Sequence, residues 1–275
     1  MSTFKSSSVR IFAAFAAVGI VCLQADATVI DGSVFRYQMS IKPASGMVTT
    51  TLANFPVLVR LSAEKLENFV PAQCGENGAD IRFALVDGTL LAHEIDFWNA
   101  NGESTVWVNV PSLTNGTEIV AYWSLRNGKT APAVTASGTW PNFVAVYHFS
   151  EATGAIGDSS ANHYASTNAL ATVSNTTAKV GLSRNMAGDR FRTGVTNLLS
   201  SSAAKPIATV SKFTVSGWMK ETTGVSAGYR TLFNKGASPV GWYQSTQNNL
   251  TQMTASGSGT TTSVMSSSRA RTVVR

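Results

Sequence analysis

Cysteine is nearly absent from this chain of 275 residues, which has only Cys22 and Cys74. Once the N-terminal segment carrying Cys22 is removed, Cys74 stands alone, so no disulfide can form within the chain and stability has to come from burial. Acidic residues are scarce as well. The 15 Asp and Glu face 21 Lys and Arg, giving a net charge of +6, and none of the acids follows Glu221. The basic balance therefore reflects missing acids. With no cluster of Lys or Arg before the last residues, the patch or stripe that nucleic-acid binding needs is lacking. Long apolar runs are also missing, apart from residues 11–23. That run is shorter than the roughly 20 residues a membrane-spanning helix needs. Lys5 and Arg10 precede it and Ala25-Asp26-Ala27 follows it, a pattern that predicts a signal peptide over 1–27 cleaved after Ala27. Val21 stands directly before Cys22, where lipoprotein processing wants a small residue. The expected location is secreted or cell envelope (periplasm or cell surface), with no transmembrane segment after cleavage.

What the chain does have is punctuation. Asp87-Gly88, Asn101-Gly102, Asn115-Gly116 and Asn127-Gly128 are each flanked by runs rich in Val, Ile, Leu, Phe and Trp. Such pairs supply the positive φ angles of tight hairpin turns, so the runs between them are expected to pair as an antiparallel meander. Strands are expected over 34–41, 55–61, 80–86, 89–98, 104–110 and 118–124, with a short helix capped by Ser62 ending before Pro71. Alternation puts Val106, Val108 and Val110 on a core face and Thr105, Trp107 and Asn109 on the opposite one. The fold class is all-β, and the length allows two domains, each with its own core.

Four ordered motifs carry a family resemblance: Phe55-Pro56-Val57-Leu58-Val59, Gly78-Ala79-Asp80-Ile81-Arg82-Phe83, His93-Glu94-Ile95-Asp96 and Val106-Trp107-Val108-Asn109-Val110-Pro111. Together they resemble the domain of unknown function 2341 over about residues 29–129. The resemblance implies a secreted bacterial protein in which this domain often precedes a laminin-G-like or concanavalin A-like one, in some genomes beside proton-channel components of the ExbB and TolQ type. The family's closing Tyr-Tyr-Gly-Asn-like segment is replaced here by the longer Tyr122-Trp123-Ser124-Leu125-Arg126-Asn127-Gly128. Residues 130–139, mostly Ala, Pro, Thr and Ser, read as a linker. Val144-Ala145-Val146-Tyr147-His148-Phe149, Asp158-Ser159-Ser160-Ala161-Asn162-His163 and Phe213-Thr214-Val215-Ser216-Gly217-Trp218-Met219 resemble the opening of a laminin-G-like sandwich.

The expected organisation is an antiparallel, jelly-roll-like β-sandwich over 28–129, the linker over 130–139, and an incomplete laminin-G-like or concanavalin A-like sandwich over 140–243. A disordered or truncated tail is expected over 244–275, where a Ser and Thr tract stands in place of the closing hairpins. A truncated or frame-shifted chain is the expected reason.

The sharpest chemical motif is His93-Glu94-Ile95-Asp96-Phe97-Trp98-Asn99. Concanavalin A-like glucanases carry three carboxylates on one strand face, and period two places Glu94 and Asp96 in the first two positions. The third is Trp98, or Asn99 in a bulged variant, and neither can protonate a leaving group. Two readings of that face stay open. Glu94, Asp96 and Trp98 offer acceptors and an aromatic platform to a sugar. Alternatively, Trp98 pairs with Trp107 across a hairpin while the carboxylates are solvated or meet Arg82. His93, His148 and His163 lack metal-ligand spacing, Cys74 lacks a neighbouring base, and Asp158 alone is weak support for the calcium that the laminin-G-like resemblance allows. The expected function is non-catalytic recognition of polysaccharide or a cell-surface protein, with no catalytic residue. The alternatives are an accessory component of an ExbB/TolQ-like envelope transport system and a glycan hydrolase.

Overall fold

The computed structural model describes residues 28–44, 46–166, 175–184, 214, 216–218, 229–235, 240–245, 250–257 and 260–266. The expected signal peptide lies outside them, as do parts of the 213–219 motif and of the expected tail. Among the described residues the regular elements are antiparallel strands and short 3-10 turns, with no α-helix. No helix there is long and apolar enough to cross a membrane.

The punctuated region forms seven strands: β1 (Phe35–Ile41), β2 (Leu52–Leu61), β3 (Arg82–Leu85), β4 (Leu90–Leu91), β5 (His93–Phe97), β6 (Ser104–Leu113) and β7 (Ile119–Leu125). They are divided between two sheets, ordered β1-β7-β3-β4 and β2-β6-β5. The expected meander is realised only in its hairpins. Asp87-Gly88 joins β3 to β4, with Gly88 at φ 87° and the Asp87 carboxylate accepting from the Thr89 amide at 2.9 Å. Asn101-Gly102 joins β5 to β6. Asn115-Gly116 instead makes a corner, because β6 and β7 belong to different sheets. The reason lies in their apolar faces. Val106, Val108 and Val110 of β6 and Ile119, Ala121 and Trp123 of β7 are all buried in one cluster, and both strands satisfy that cluster only by facing each other across a sandwich.

The single strand expected over 89–98 breaks at Ala92, leaving Leu90 and Leu91 in one sheet and His93 onward in the other. Pro56 is tolerated because β2 pairs with β6 alone and is an edge strand. In place of the expected helix after β2, Ser62 caps one turn, accepting Lys65 N and Leu66 N on its carbonyl at 3.2 and 2.9 Å, and Phe69 then plugs the core at 1% exposure. Ser124 has φ 62°. That left-handed residue reverses the alternation of β7: Trp123 packs in the sandwich core, whereas Leu125 packs in a second cluster with Phe35, Ala84 and Tyr122.

Residues 130–166 lie against the sandwich. Arg82 Nε donates to Pro132 O at 2.5 Å, Asn109 Nδ2 donates to Gly138 O at 3.3 Å, and a 3-10 turn at Ala136–Thr139 packs beside β5 and β6. The expected linker is thus pinned along its length. A hairpin of β8 (Asn175–Thr177) and β9 (Leu182–Arg184) follows. A separate antiparallel sheet comprises β10 (Tyr229–Lys235), β11 (Val240–Ser245), β12 (Leu250–Gly257) and β13 (Thr260–Ser266), in chain order. Residues 244–245, 250–257 and 260–266, expected to lie in a disordered tail, are in these strands. Their repeated Thr, β-branched and suited to a pleated sheet, supplies the propensity that composition alone concealed.

A bulge in β5 redirects the side chains at its end. Ile95 pairs with Val106, but Phe97 pairs with Thr105, so Asp96 and Phe97 together oppose one residue. The extra residue turns Trp98 inward against the core and over Gly78, whose φ is 72° and whose missing Cβ would sit 2.5 Å from the Trp98 ring. Gly78→Ala is therefore expected to destabilise the fold by about 2–4 kcal/mol, through overpacking and a strained φ. Urea denaturation measures it. A loss under ~1 kcal/mol with unchanged tryptophan fluorescence would place Trp98 elsewhere.

Candidate functional site

The outer face of β5 carries Glu94 and Asp96, and the chain covers both. Trp107, opposite Glu94 on β6, donates its indole N–H to Asp96 Oδ2 at 3.2 Å. Trp140, tilted against Trp107 with ring centroids 5.3 Å apart, donates its own to Glu94 Oε2 at 2.5 Å. Ser159 Oγ donates to Glu94 Oε1 at 2.5 Å. Between the carboxylates stands His148, its Nε2 at 3.2 Å from Glu94 Oε2 and its Nδ1 at 3.4 Å from Asp96 Oδ1.

That geometry favours a charged ring, with a hydrogen bond to Glu94 and an ion-pair contact, not a hydrogen bond, to Asp96 Oδ1. Two carboxylates facing both ring nitrogens call for a proton on each, which is the imidazolium form. Burial opposes this charge, but the hydrogen bonds and charges of Asp96 and Glu94 prevail and push the His148 pKa up to about 9. The side chains are only 12% (His148), 16% (Glu94) and 4% (Asp96) exposed. Gly181, in the turn between β8 and β9, closes the Asp96 side, where a Cβ would lie 2.9 Å from Oδ1. Arg60 holds that hairpin down by donating to Lys179 O at 2.7 Å.

Of the three residues expected to form a ligand platform, the structure brings Glu94 and Asp96 together and separates Trp98 from them. After the bulge Asn99, rather than Trp98, continues their face, and its Oδ1 is turned to accept the Asn101 amide at 3.0 Å. Trp107 stacks with Trp140 and not with Trp98, and Arg82 lies in the other sheet, bonded to carbonyl oxygens. The residues that sequence reasoning missed are Trp140, His148 and Ser159. Only one local signal marked them: a histidine inside the apolar run Val144–Phe149.

His93, Cys74 and Asp158 are internal fixtures. Burial pushes the His93 pKa down to about 4, and its neutral ring packs edge-on to Phe83 with centroids 5.2 Å apart. Burial, helped by Asp80, pushes the Cys74 thiol up to about 12, so it is a poor nucleophile at neutral pH. Asp158, considered for calcium, already accepts from Val146 N, Ser160 N, Ser160 Oγ and Tyr164 N at 2.8–2.9 Å. Among the described residues no group of three or more His, Cys, Asp and Glu side chains is arranged to hold a metal ion.

Residues 77–165 match the family described as Domain of unknown function (DUF2341). No curated protein and no solved structure matches the chain significantly. The matched stretch begins within the region where the resemblance was expected and runs on past residue 129. It includes Glu94, Asp96 and all four side chains that hydrogen-bond to them.

Because the His148 pKa is raised on folding, its contribution to stability is complete below the ordinary value of 6.5 and lost as pH rises through about 9. On the order of 3 kcal/mol depends on that proton. The thermal midpoint of the unmodified chain is expected to fall between pH 7 and pH 10. His148→Gln, which leaves two buried carboxylates without their cation, should lower stability at pH 7 by about 3–5 kcal/mol and flatten this pH dependence. Equal slopes in the two proteins would show that His148 carries no such charge.

Proposed function

We propose that this is an exported, non-catalytic recognition protein for polysaccharide or another cell-surface partner, with residues 1–27 acting as its signal peptide. The observation that carries the non-catalytic part is the clamp on Glu94 and Asp96. A glycosidase needs one carboxyl free to protonate a leaving group and a second free to attack or to activate water. Here both are held by indole, hydroxyl and imidazolium donors beneath residues 140–166, and the third position of the pattern is an amide. Recognition is supported by the resemblance of later residues to laminin-G-like domains, an analogy at the level of the fold. The jelly-roll and concanavalin A-like details of the fold belong to the same proposal and rest on resemblance.

Screening the full chain on a glycan array, alongside reducing-sugar release from a panel of β-glucans, tests both halves. Binding without release is the expected outcome. Release that Glu94→Gln abolishes would establish catalysis, and an array with no bound glycan would favour a structural role in the envelope.

A further inference from the structure

A groove of about 550 Å³ opens at the other sheet, where β3, the end of β7 and the start of the 130–139 segment meet the loop before β3. This falls in the range of small-molecule sites, roughly 300–1,000 Å³. Its polar lining comes from Gln73, Asp80, Arg82, Ser124 and Thr130. Asp80 is 7% exposed; Oδ1 accepts the Gly75 amide at 2.7 Å and Oδ2 the Leu125 amide at 3.2 Å. Each oxygen keeps a second lone pair. Arg82 is anchored through Nε to Pro132 O and through Nη1 to Ala79 O and Ile81 O, which leaves Nη2 without a hydrogen bond to the described residues. Gln73 accepts the Trp123 indole N–H on its Oε1 at 3.4 Å, and its amide NH₂ has no hydrogen bond to the described residues. The left-handed backbone of Ser124 sits at the same place.

We propose that this groove is a binding site for a neutral sugar, in which Asp80 and the Arg82 Nη2 group engage neighbouring hydroxyls of one pyranose and Ser124 and Gln73 engage the rest. This rests on the recognition role proposed above and places it on named residues. The chemistry favours a neutral polyol over an anion. Among the described residues of the lining Arg82 is the cation and Asp80 the carboxylate, so an anionic ligand would gain from Arg82 and lose to Asp80. A sugar hydroxyl, both donor and acceptor, matches a wall that offers fixed acceptors and fixed donors side by side. The groove is also pre-formed. Backbone amides hold Asp80 and carbonyl oxygens hold Arg82, so little side-chain freedom is lost on binding.

Titration calorimetry of the full chain against neutral oligosaccharides (glucan, mannan, galactan) and uronic-acid oligosaccharides tests the site. Ser124→Gly is the informative variant, since glycine accepts φ 62° without strain while removing the hydroxyl. It is expected to weaken neutral-sugar binding roughly 2- to 10-fold with an unchanged or raised thermal midpoint. Arg82→Lys, which removes the planar fork, should weaken it by about 10-fold or more. Sugar binding that both variants leave intact would remove the groove and keep the recognition role. A chain that binds no sugar would overturn the groove and the polysaccharide half of the recognition role, and a preference for uronic acids would overturn the neutral-ligand assignment.

Discussion

Two carboxylates two residues apart on one strand face create the constraint around which the covering half of the molecule is arranged. Glu94 and Asp96 are carried onto the outer face of β5 by the same alternation that sends His93 and Ile95 into the core. Left solvated, they would cost nothing and hold nothing. Covered by residues 140–166, they need a cation and donors, because a buried unpaired carboxylate costs several kcal/mol. His148 is the cation, and its two ring nitrogens match the spacing of the pair. Trp140, Ser159 and Trp107 supply the remaining donors. Apolar contact between Trp107 and Trp140 brings the segment down, and the charge network fixes where it sits. Buried pairs of this kind contribute more to registry than to net stability.

The same device recurs in two further connections. Asp158 gathers four donors from residues 146–164 and so shapes the covering segment itself. Asp80 takes one amide from the loop before β3 and one from β7, stitching that loop to the sheet. Acids are scarce in this chain, and these four are inside it. A carboxylate accepting backbone N–H groups does here what a disulfide does in other proteins, and Cys74 is a free thiol. Carboxylates that look like catalytic chemistry in the sequence act here as architecture.

Local physics in the sequence was legible and long-range pairing was not. The glycines of Asp87-Gly88, Asn115-Gly116 and Asn127-Gly128 have the positive φ their turns require, and the valines of β6 are buried as their alternation demands. Nothing in the turn at Asn115-Gly116 distinguishes a hairpin from a corner between sheets; the apolar faces of β6 and β7 decide it only once both sheets exist. The split at Ala92 and the bulge at Asp96 were equally hidden. A bulge adds one residue without altering composition, yet it inverts every later side chain, which is why Trp98 left the face that strict alternation assigned to it. His148 lies 54 residues from Glu94, and no spacing rule reaches that far.

The family match over 77–165 holds the carboxylates and their cover but not a self-sufficient sandwich. β6 is central in its sheet only because β2 pairs with it, and β7 only because β1 does. Both partners precede residue 77. Without them two strands with buried inner faces would become open edges, and Val59, Leu61 and Phe69 would be missing from the core. The unit that closes its own hydrogen-bond ladders therefore reaches back to Phe35 at least. At its other end it includes Ser166, whose hydroxyl accepts the amide of the fully buried Ile156 at 2.8 Å, and the β8–β9 hairpin, which Arg60 holds through Lys179 O and which Arg184 ties to Glu151 O. Within those limits the groove at Arg82 and the clamp at His148 share a common element: the segment 130–166 forms one wall of the first through Thr130 and Ala131 and covers the Glu94 side of the second, while the β8–β9 hairpin closes the Asp96 side.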